Sequence, residues 1–410
     1  PHDYDTRYDY LTEARQSREG ITIRKNTPIG MLVLKGDYAG TWKKNSLEFG
    51  AKTTRMRLTN DVSVQRNLDG TWKPDPEFSQ NYFLEDAIDA AYLNLQRPLG
   101  KGKLQAGLRY EHTSTDIGTP GSGAGLVRRR YGSWFPSLFW ALDFSKKSGI
   151  QLAYSRRIQR PDYALLAPFV FFSDPNTFIT GNATLLPTFS DAVQGTYRFR
   201  ENYLLTLRYS HDRDALDRFR VRVDSSTNRS FITPQNIRSL NTLALTLAFP
   251  VRVASWWQMQ TNLLGVYQRA DASVEGQALV FAQANANLSS THTFKLPREF
   301  SAELTAFYQS PALNGISRRL AFGAVGLGIQ KKLSRNRGTL RLSLSDAFRT
   351  NFMRIVSDNP AVNQVANWTL RFDSRVLRLT FTRSLGSQSV KAATRRATGS
   401  EDERGRVSTN

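Results

Sequence analysis

Apolar and polar residues alternate with a period of two along most of the chain. In 103–111, Leu104, Ala106, Leu108 and Tyr110 alternate with Gln105, Gly107, Arg109 and Glu111. In 203–210, Tyr203, Leu205, Leu207 and Tyr209 alternate with Leu204, Thr206, Arg208 and Ser210. Leu340, Leu342 and Leu344 stand against Arg341, Ser343 and Ser345, and Leu377, Leu379 and Phe381 against Arg378, Thr380 and Thr382. A period of two sends successive side chains to opposite faces, so each segment predicts a β-strand with one apolar and one polar face. The alternation runs over roughly ten residues, the length a tilted strand needs to cross a bilayer.

A soluble sandwich would alternate in the same way. Two further patterns favour a membrane. Aromatic residues gather at strand ends (Trp134, Phe135, Phe139 and Trp140; Trp256 and Trp257; Phe300 and Phe307), as in the girdles that sit at headgroup depth. The connections also alternate in length. The short set is Lys43–Asn45, Leu99–Lys101, Ser145–Ser148, Arg200–Asn202, Pro250–Ala254, Leu296–Glu299 and Ser334–Gly338, and the long set is 66–84, 113–129, 160–188, 211–230, 269–278, 311–317 and 350–366. Outer-membrane barrels have short periplasmic turns and longer extracellular loops. The pattern therefore predicts an all-β fold, a transmembrane antiparallel up-and-down β-barrel with about 14–16 strands over residues 30–385. The apolar phase is even in 366–374 (Trp368, Leu370, Phe372) and odd in 377–381, which predicts a β-bulge near Asp373–Val376. Residues 1–29 are charged and lack clean alternation, and are expected to be an irregular segment or loop remnant. Residues 386–410, rich in Arg, Glu, Ser and Thr, are expected to be a disordered periplasmic tail.

Composition changes this picture little. Across 410 residues, hydrophobic residues make up 40% and the mean hydropathy is −0.44, values usual for soluble proteins. They suit a barrel equally well, because only every second residue of a spanning strand meets lipid. No apolar run is long enough for a transmembrane helix. The chain begins at Pro1 without a signal peptide, as expected of a processed or cut N-terminus. It contains no cysteine, which excludes disulfides and thiolate chemistry. The net charge of +21 would suggest nucleic acid in a soluble protein, but the Lys and Arg residues are spread along strands and form no basic domain, so no nucleic-acid partner is expected.

No catalytic constellation, resident cofactor or metal motif is expected. His2, His112, His211 and His292 do not pair as metal ligands, and Asp212, Asp214 and Asp217 lack calcium-loop spacing. The glycines of 118–125 and those at 323, 326 and 328 lack the strand–helix context of a phosphate or dinucleotide site. The best candidate for ligand contact is loop 160–188, with Arg160, Tyr163, Phe169, Phe171, Phe172 and Phe178. Exposed aromatics beside polar groups suit capture of a small ligand such as a glycan, peptide or siderophore; the same aromatics could instead pack the loop against its neighbours. On the polar strand face, Arg109, Arg208, Arg341 and Arg378 would point into the lumen. There they either favour anions or pair with carboxylates of a plug or of adjacent strands.

Several segments resemble the outer-membrane β-barrel family related to TonB-dependent receptors. These are Ser155-Arg156-Arg157-Ile158-Gln159-Arg160-Pro161, Leu165-Leu166-Ala167-Pro168-Phe169, Asp174-Pro175, Gly181-Asn182-Ala183-Thr184-Leu185-Leu186-Pro187, 301–311, Gln330-Lys331-Lys332, Ser343-Leu344-Ser345-Asp346 and 395–403. Ala183 and Thr188 depart from the Pro and Glu usual in the family. The resemblance implies a non-enzymatic receptor or transporter barrel of the Gram-negative outer membrane, capturing an unidentified small ligand with its extracellular loops. Its implied partners are outer-membrane lipid, a plug domain of the same full-length protein and the TonB complex, reached through an N-terminal region missing here. The family barrel has about 22 strands, so the strands counted here either form part of one or hide a smaller closed barrel. A structural or adhesive surface barrel, or a passive anion-selective pore, is the alternative.

Overall fold

The structure is a computed structural model. It describes all residues except 1, 13–14, 69, 121–124, 168–169, 175, 225, 228, 275, 335–336, 360–363, 384–400 and 408–410. The first strands in chain order are β1 (His2–Thr12), β2 (Arg15–Asn26), β3 (Ile29–Trp42), β4 (Asn45–Leu68), β5 (Thr71–Pro74), β6 (Gln80–Leu99), β7 (Gly102–Gly118), β8 (Gly125–Ser145) and β9 (Ser148–Gln159). Helix α1 (Tyr163–Leu166) is followed by β10 (Val170–Asp174), β11 (Thr177–Thr180), β12 (Thr188–Phe199), β13 (Tyr203–Asp224), β14 (Arg229–Ala254), β15 (Trp257–Val274), β16 (Gln277–Leu296) and β17 (Phe300–Gln309). The remaining elements are β18 (Ala312–Asn314), β19 (Ser317–Arg319), β20 (Phe322–Leu333), β21 (Gly338–Leu344), β22 (Phe352–Asn359), β23 (Gln364–Arg371), β24 (Leu377–Thr382) and helix α2 (Glu401–Val407).

One 20-stranded sheet dominates. Its main ladder is antiparallel and runs β3–β4–β6–β7–β8–β9–β12–β13–β14–β15–β16–β17–β20–β21–β24, in agreement with the strand number the alternation predicts. Among the described residues, β1 pairs only with β2 and β24 only with β21, so the sheet is curved but not closed. Turns at the periplasmic end are tight. Trp42 faces Asn45 and Leu99 faces Gly102, leaving two-residue loops in which Lys43 (φ 56°) and Gly100 (φ 57°) adopt the left-handed backbone that matches strand twist.

The outward face carries the apolar half of the alternation. Leu93, Leu108, Leu138, Leu207, Leu245, Leu327 and Leu379 are all exposed to the surroundings, with Leu207 52% and Leu379 68% accessible. Their inward neighbours are polar or small. A curved sheet that is greasy outside and polar inside is stable in hydrocarbon and unstable in water.

Several expectations are corrected. The long connections are mostly not loops. β4, β6, β7, β13, β14, β15 and β16 continue as paired ribbons well past the lipid-facing stretch, with Asp224 facing Arg229 and Val274 facing Gln277 at their tips. Backbone groups leaving the membrane still need partners, and the neighbouring strand supplies them. The turn expected at Pro250–Ala254 falls at Ser255–Trp256, because β14 runs on to Ala254 opposite Trp257. Residues 2–26, expected to be irregular, form β1 and β2 in regular antiparallel register, and β2 continues the line of β3 along β4. The phase change near Asp373–Val376 is no bulge. β23 belongs to a separate four-stranded sheet with β18, β19 and β22, and the chain crosses between sheets before β24. The tail expected to be wholly disordered and periplasmic contains α2, which docks against the interior; residues 386–400 of that tail lie outside the described residues.

The core sits inside the extracellular half. Met56, Leu58, Tyr82, Leu84, Ile117, Tyr163, Leu166 and Leu185 form one buried cluster; Ile21, Ile23, Val62, Val64, Phe78 and Phe178 form another. Beyond the membrane the inward positions become apolar, and the folded-in 160–188 segment covers them.

Candidate functional site

The 160–188 segment enters the sheet interior and is tied there residue by residue. Arg160 follows β9, and its Nη2 donates to Glu111 Oε2 at 2.7 Å and to Thr113 Oγ1 at 2.8 Å. Arg109, two residues before Glu111 on the same face of β7, donates from Nε to Glu111 Oε1 at 2.5 Å. One buried carboxylate thus accepts from two guanidinium groups; the Arg160 and Glu111 side chains are only 13% and 10% exposed. Helix α1 follows. Asp162, just before it, accepts from Arg218 Nη2 at 3.0 Å, and Asn182 closes the segment by donating from its backbone N to Leu165 O at 2.7 Å and from Nδ2 to Pro234 O at 3.0 Å. Leu186 and Asn236 exchange two hydrogen bonds, at 2.8 and 3.0 Å. Arg129 donates to the carbonyls of Ala183 and Leu185. β11 adds in parallel to β14, with Phe178 opposite Phe231.

This placement revises the ligand-contact candidates. Tyr163 is buried in the first core cluster, with its hydroxyl 3.4 Å from Asp86 Oδ2. Phe178 is 1% exposed and stacks between Phe78 and Phe231, with ring centroids 5.4 and 5.3 Å away and the Arg229 guanidinium over its face. Both therefore pack the segment down instead of presenting rings to solvent, since burying a large aromatic against others gains more than leaving it wet. Phe169 lies outside the described residues. Phe171 and Phe172 are placed by backbone only, opposite Ile179 and Phe178 in the β10–β11 pairing, and their side chains lie outside the description.

Each of the four arginines expected on the lumen face alternates with exposed apolar neighbours on its strand. Arg109 pairs with Glu111, and Arg341 Nη2 lies 2.6 Å from Glu303 Oε1 on an adjacent part of the sheet. Arg208 and Arg378 make no ion pair among the described residues.

Two of the cavities among the described residues are lined by these arginines. One, of about 490 Å³, lies beneath α1 and is lined by Arg109, Glu111, Arg156, Arg157, Arg160 and Arg406 among others, so its wall is strongly cationic. The other, of about 570 Å³, lies lower beside Glu303, Arg341, Asp346 and Arg378. Sequence reading missed Glu111, Asp86, Glu303 and Arg406 as site residues. Glu111 and Glu303 carry a signal in hindsight: each falls on the inward phase of its strand, where a carboxylate needs a cation nearby. Asp86 carries the same signal, on the inward phase of β6, and Arg406 carries none.

The sequence matches the family model described as the outer membrane protein beta-barrel family over residues 2–382. No curated protein sequence matches it. Among solved structures, the chain is similar to the copper transporter OprC (13% identity, TM-score 0.56, covering 84% of this chain and 55% of that one). It is similar to the ferric yersiniabactin uptake receptor FyuA from Yersinia pestis (12%, 0.56, 92% and 59%) and to the ferric citrate transporter FecA in its unliganded form (10%, 0.57, 92% and 60%). The chain thus spans under two thirds of the length of each of these structures.

Proposed function

Because this chain belongs to the outer membrane protein beta-barrel family and resides in the Gram-negative outer membrane, we propose that it is a receptor and transporter barrel, not an enzyme. Its extracellular side captures a small ligand, and uptake is powered by the TonB complex acting through a plug domain of the same protein. The observation that carries this reading is the 160–188 segment. It folds back over the lumen instead of standing in solvent, and the Arg160–Glu111 pair beneath it borders an open cavity of about 490 Å³. A concave, mostly preformed pocket with a few convergent charged groups is what small-ligand capture needs. A surface adhesin has no need of an interior pocket. The names of similar structures, a copper transporter and uptake receptors for ferric complexes, support the same class of role.

No covalent chemistry is involved. Ligand held at the mouth passes inward when the plug is displaced, and the polar inward face gives it a hydrated path. The test is accumulation of a panel of metal chelates by cells carrying the protein, with and without an intact TonB complex. The reading expects uptake of at least one chelate class that is lost without TonB. Uptake unchanged in cells without TonB would establish the passive pore instead.

A further inference from the structure

The tail residue Arg406 reaches the sheet interior and meets a set of groups shaped for a guanidinium. Its Nη1 donates to Asp86 Oδ2 at 2.8 Å and to the Tyr163 hydroxyl at 2.8 Å; its Nε donates to the Pro161 carbonyl at 3.2 Å; and its guanidinium carbon lies 4.1 Å from the Tyr163 ring centroid. A carboxylate, a carbonyl, a hydroxyl and an aromatic face together use the planar fork of donors and the cation–π surface that distinguish arginine from lysine. We propose that Asp86, Tyr163 and the Pro161 carbonyl form a guanidinium-recognition site, that Arg406 is its intramolecular occupant, and that a ligand segment bearing an arginine exchanges with it.

Two observations carry the site beyond an incidental contact. First, Asp86 is 3% exposed, and its other bonded partners are neutral: Thr115 Oγ1 at 2.7 Å and the Tyr163 hydroxyl. A buried carboxylate is costly without a cation, so the position demands one. Arg129 and Arg160, on the same wall, attract Asp86 through space, but they donate their hydrogen bonds elsewhere, to the Ala183 and Leu185 carbonyls and to Glu111 and Thr113. Second, the element that carries the occupant is short. α2 has seven residues, too few to be a stable helix by itself, and Arg404 and Gly405 are exposed. Apart from Arg406, the contact of α2 with the first core cluster is made by Val407. The chain between Thr382 and Glu401 can span roughly 60 Å if extended. The rise along β6 from its periplasmic turn to Asp86 is about 43 Å at most. That length of chain is enough for Arg406 to reach Asp86 from the end of β24.

This inference stands apart from the transport reading, since the site could exist in a barrel that transports nothing. The test uses the detergent-folded full chain, with fold checked by heat-modifiable gel migration, and N-acetyl-arginine amide as the probe measured by calorimetry. Arg406→Ala vacates the site and is expected to bind the probe one to one, at least tenfold more tightly than the parent chain. The neutral analogue N-acetyl-citrulline amide is expected not to bind, and Asp86→Asn added to Arg406→Ala is expected to abolish probe binding. Should the Asp86 variant not fold, Tyr163→Phe in the Arg406→Ala background serves in its place, with binding expected to weaken several-fold. Because the chain has no cysteine, a nitroxide on Arg404→Cys also reports the tail directly. It should be restrained in the parent and mobile after Arg406→Ala or on adding probe. Equal mobility in both, or probe binding that ignores Arg406 and the probe's charge, would overturn the proposal.

Discussion

Arg160 and Glu111 stand 49 positions apart in sequence and meet at 2.7 Å inside the barrel, at the point where the 160–188 segment turns inward. The contact makes one loop part of the wall of a cavity. Removing Glu111 leaves the largely buried Arg160 charge without its carboxylate, and removing Arg160 leaves the buried Glu111 with Arg109 alone. Arg160→Met or Glu111→Gln should each destabilise the loop by about 3 kcal/mol, whereas the double variant should cost much less than the sum of the two. Limited proteolysis of lipid-reconstituted protein measures this as the rate of cutting within 160–188. Additive effects would show that the two side chains do not act together.

Phe178 anchors the far end of the same segment by stacking between Phe78 and Phe231. Phe178→Ala should cost about 3–5 kcal/mol of local stability by opening a cavity. Phe178→Leu, which keeps most of the volume, should cost clearly less. The readout is hydrogen exchange at Ile179 and Ile232, which pair across β11 and β14.

Neighbouring residues on one strand should respond in opposite ways. Leu207 is 52% exposed, and the alternation puts Arg208 on the opposite face of β13. Leu207→Arg should make folding into vesicles less favourable by about 2–4 kcal/mol, and Arg208→Leu should change it by under about 1 kcal/mol. Equal penalties would mean that the two faces are assigned wrongly.

Gly315 tips the β18–β19 hairpin with φ 64°, and a methyl group there would collide with the carboxylate of Asp217. Gly315→Ala should destabilise this hairpin by about 1–3 kcal/mol, from backbone strain together with the clash. Shortening the opposing side chain, with Asp217→Ala in the same protein, should recover the clash component but not the backbone component. A fluorophore on Leu313→Cys, read during urea titration, follows the hairpin.

Much of the barrel was legible because its cause is local. A strand in hydrocarbon must put an apolar side chain at every second position, so Leu205, Leu207 and Tyr209 declare the outward face of β13 by themselves. The tight turns after Trp42 and Leu99 were legible for the same reason. The ends of strands were not. β13 and β14 run on to Asp224 and Arg229 because each finds its partner beyond the membrane, where no lipid enforces a pattern. The apparent bulge near Asp373–Val376 misled for a related reason. A change of phase looks the same whether a strand bends or the chain moves to another sheet, and only pairing distinguishes the two.

The candidate site divides along the same line. The period-two rule assigns Arg109, Arg208, Arg341 and Arg378 to one face of their strands without any knowledge of neighbours. What those arginines and the loop aromatics do was decided by tertiary structure. Phe178 reads identically as an exposed platform or a buried anchor until Phe78 and Phe231 are seen on either side. Arg406 lies 320 positions from Asp86, in a polar tail without periodicity. Alternation records which solvent each face of a strand meets, so it can be read one residue after another. A contact between distant segments depends on the path of the loop that joins them, and that path is set by the whole packed interior.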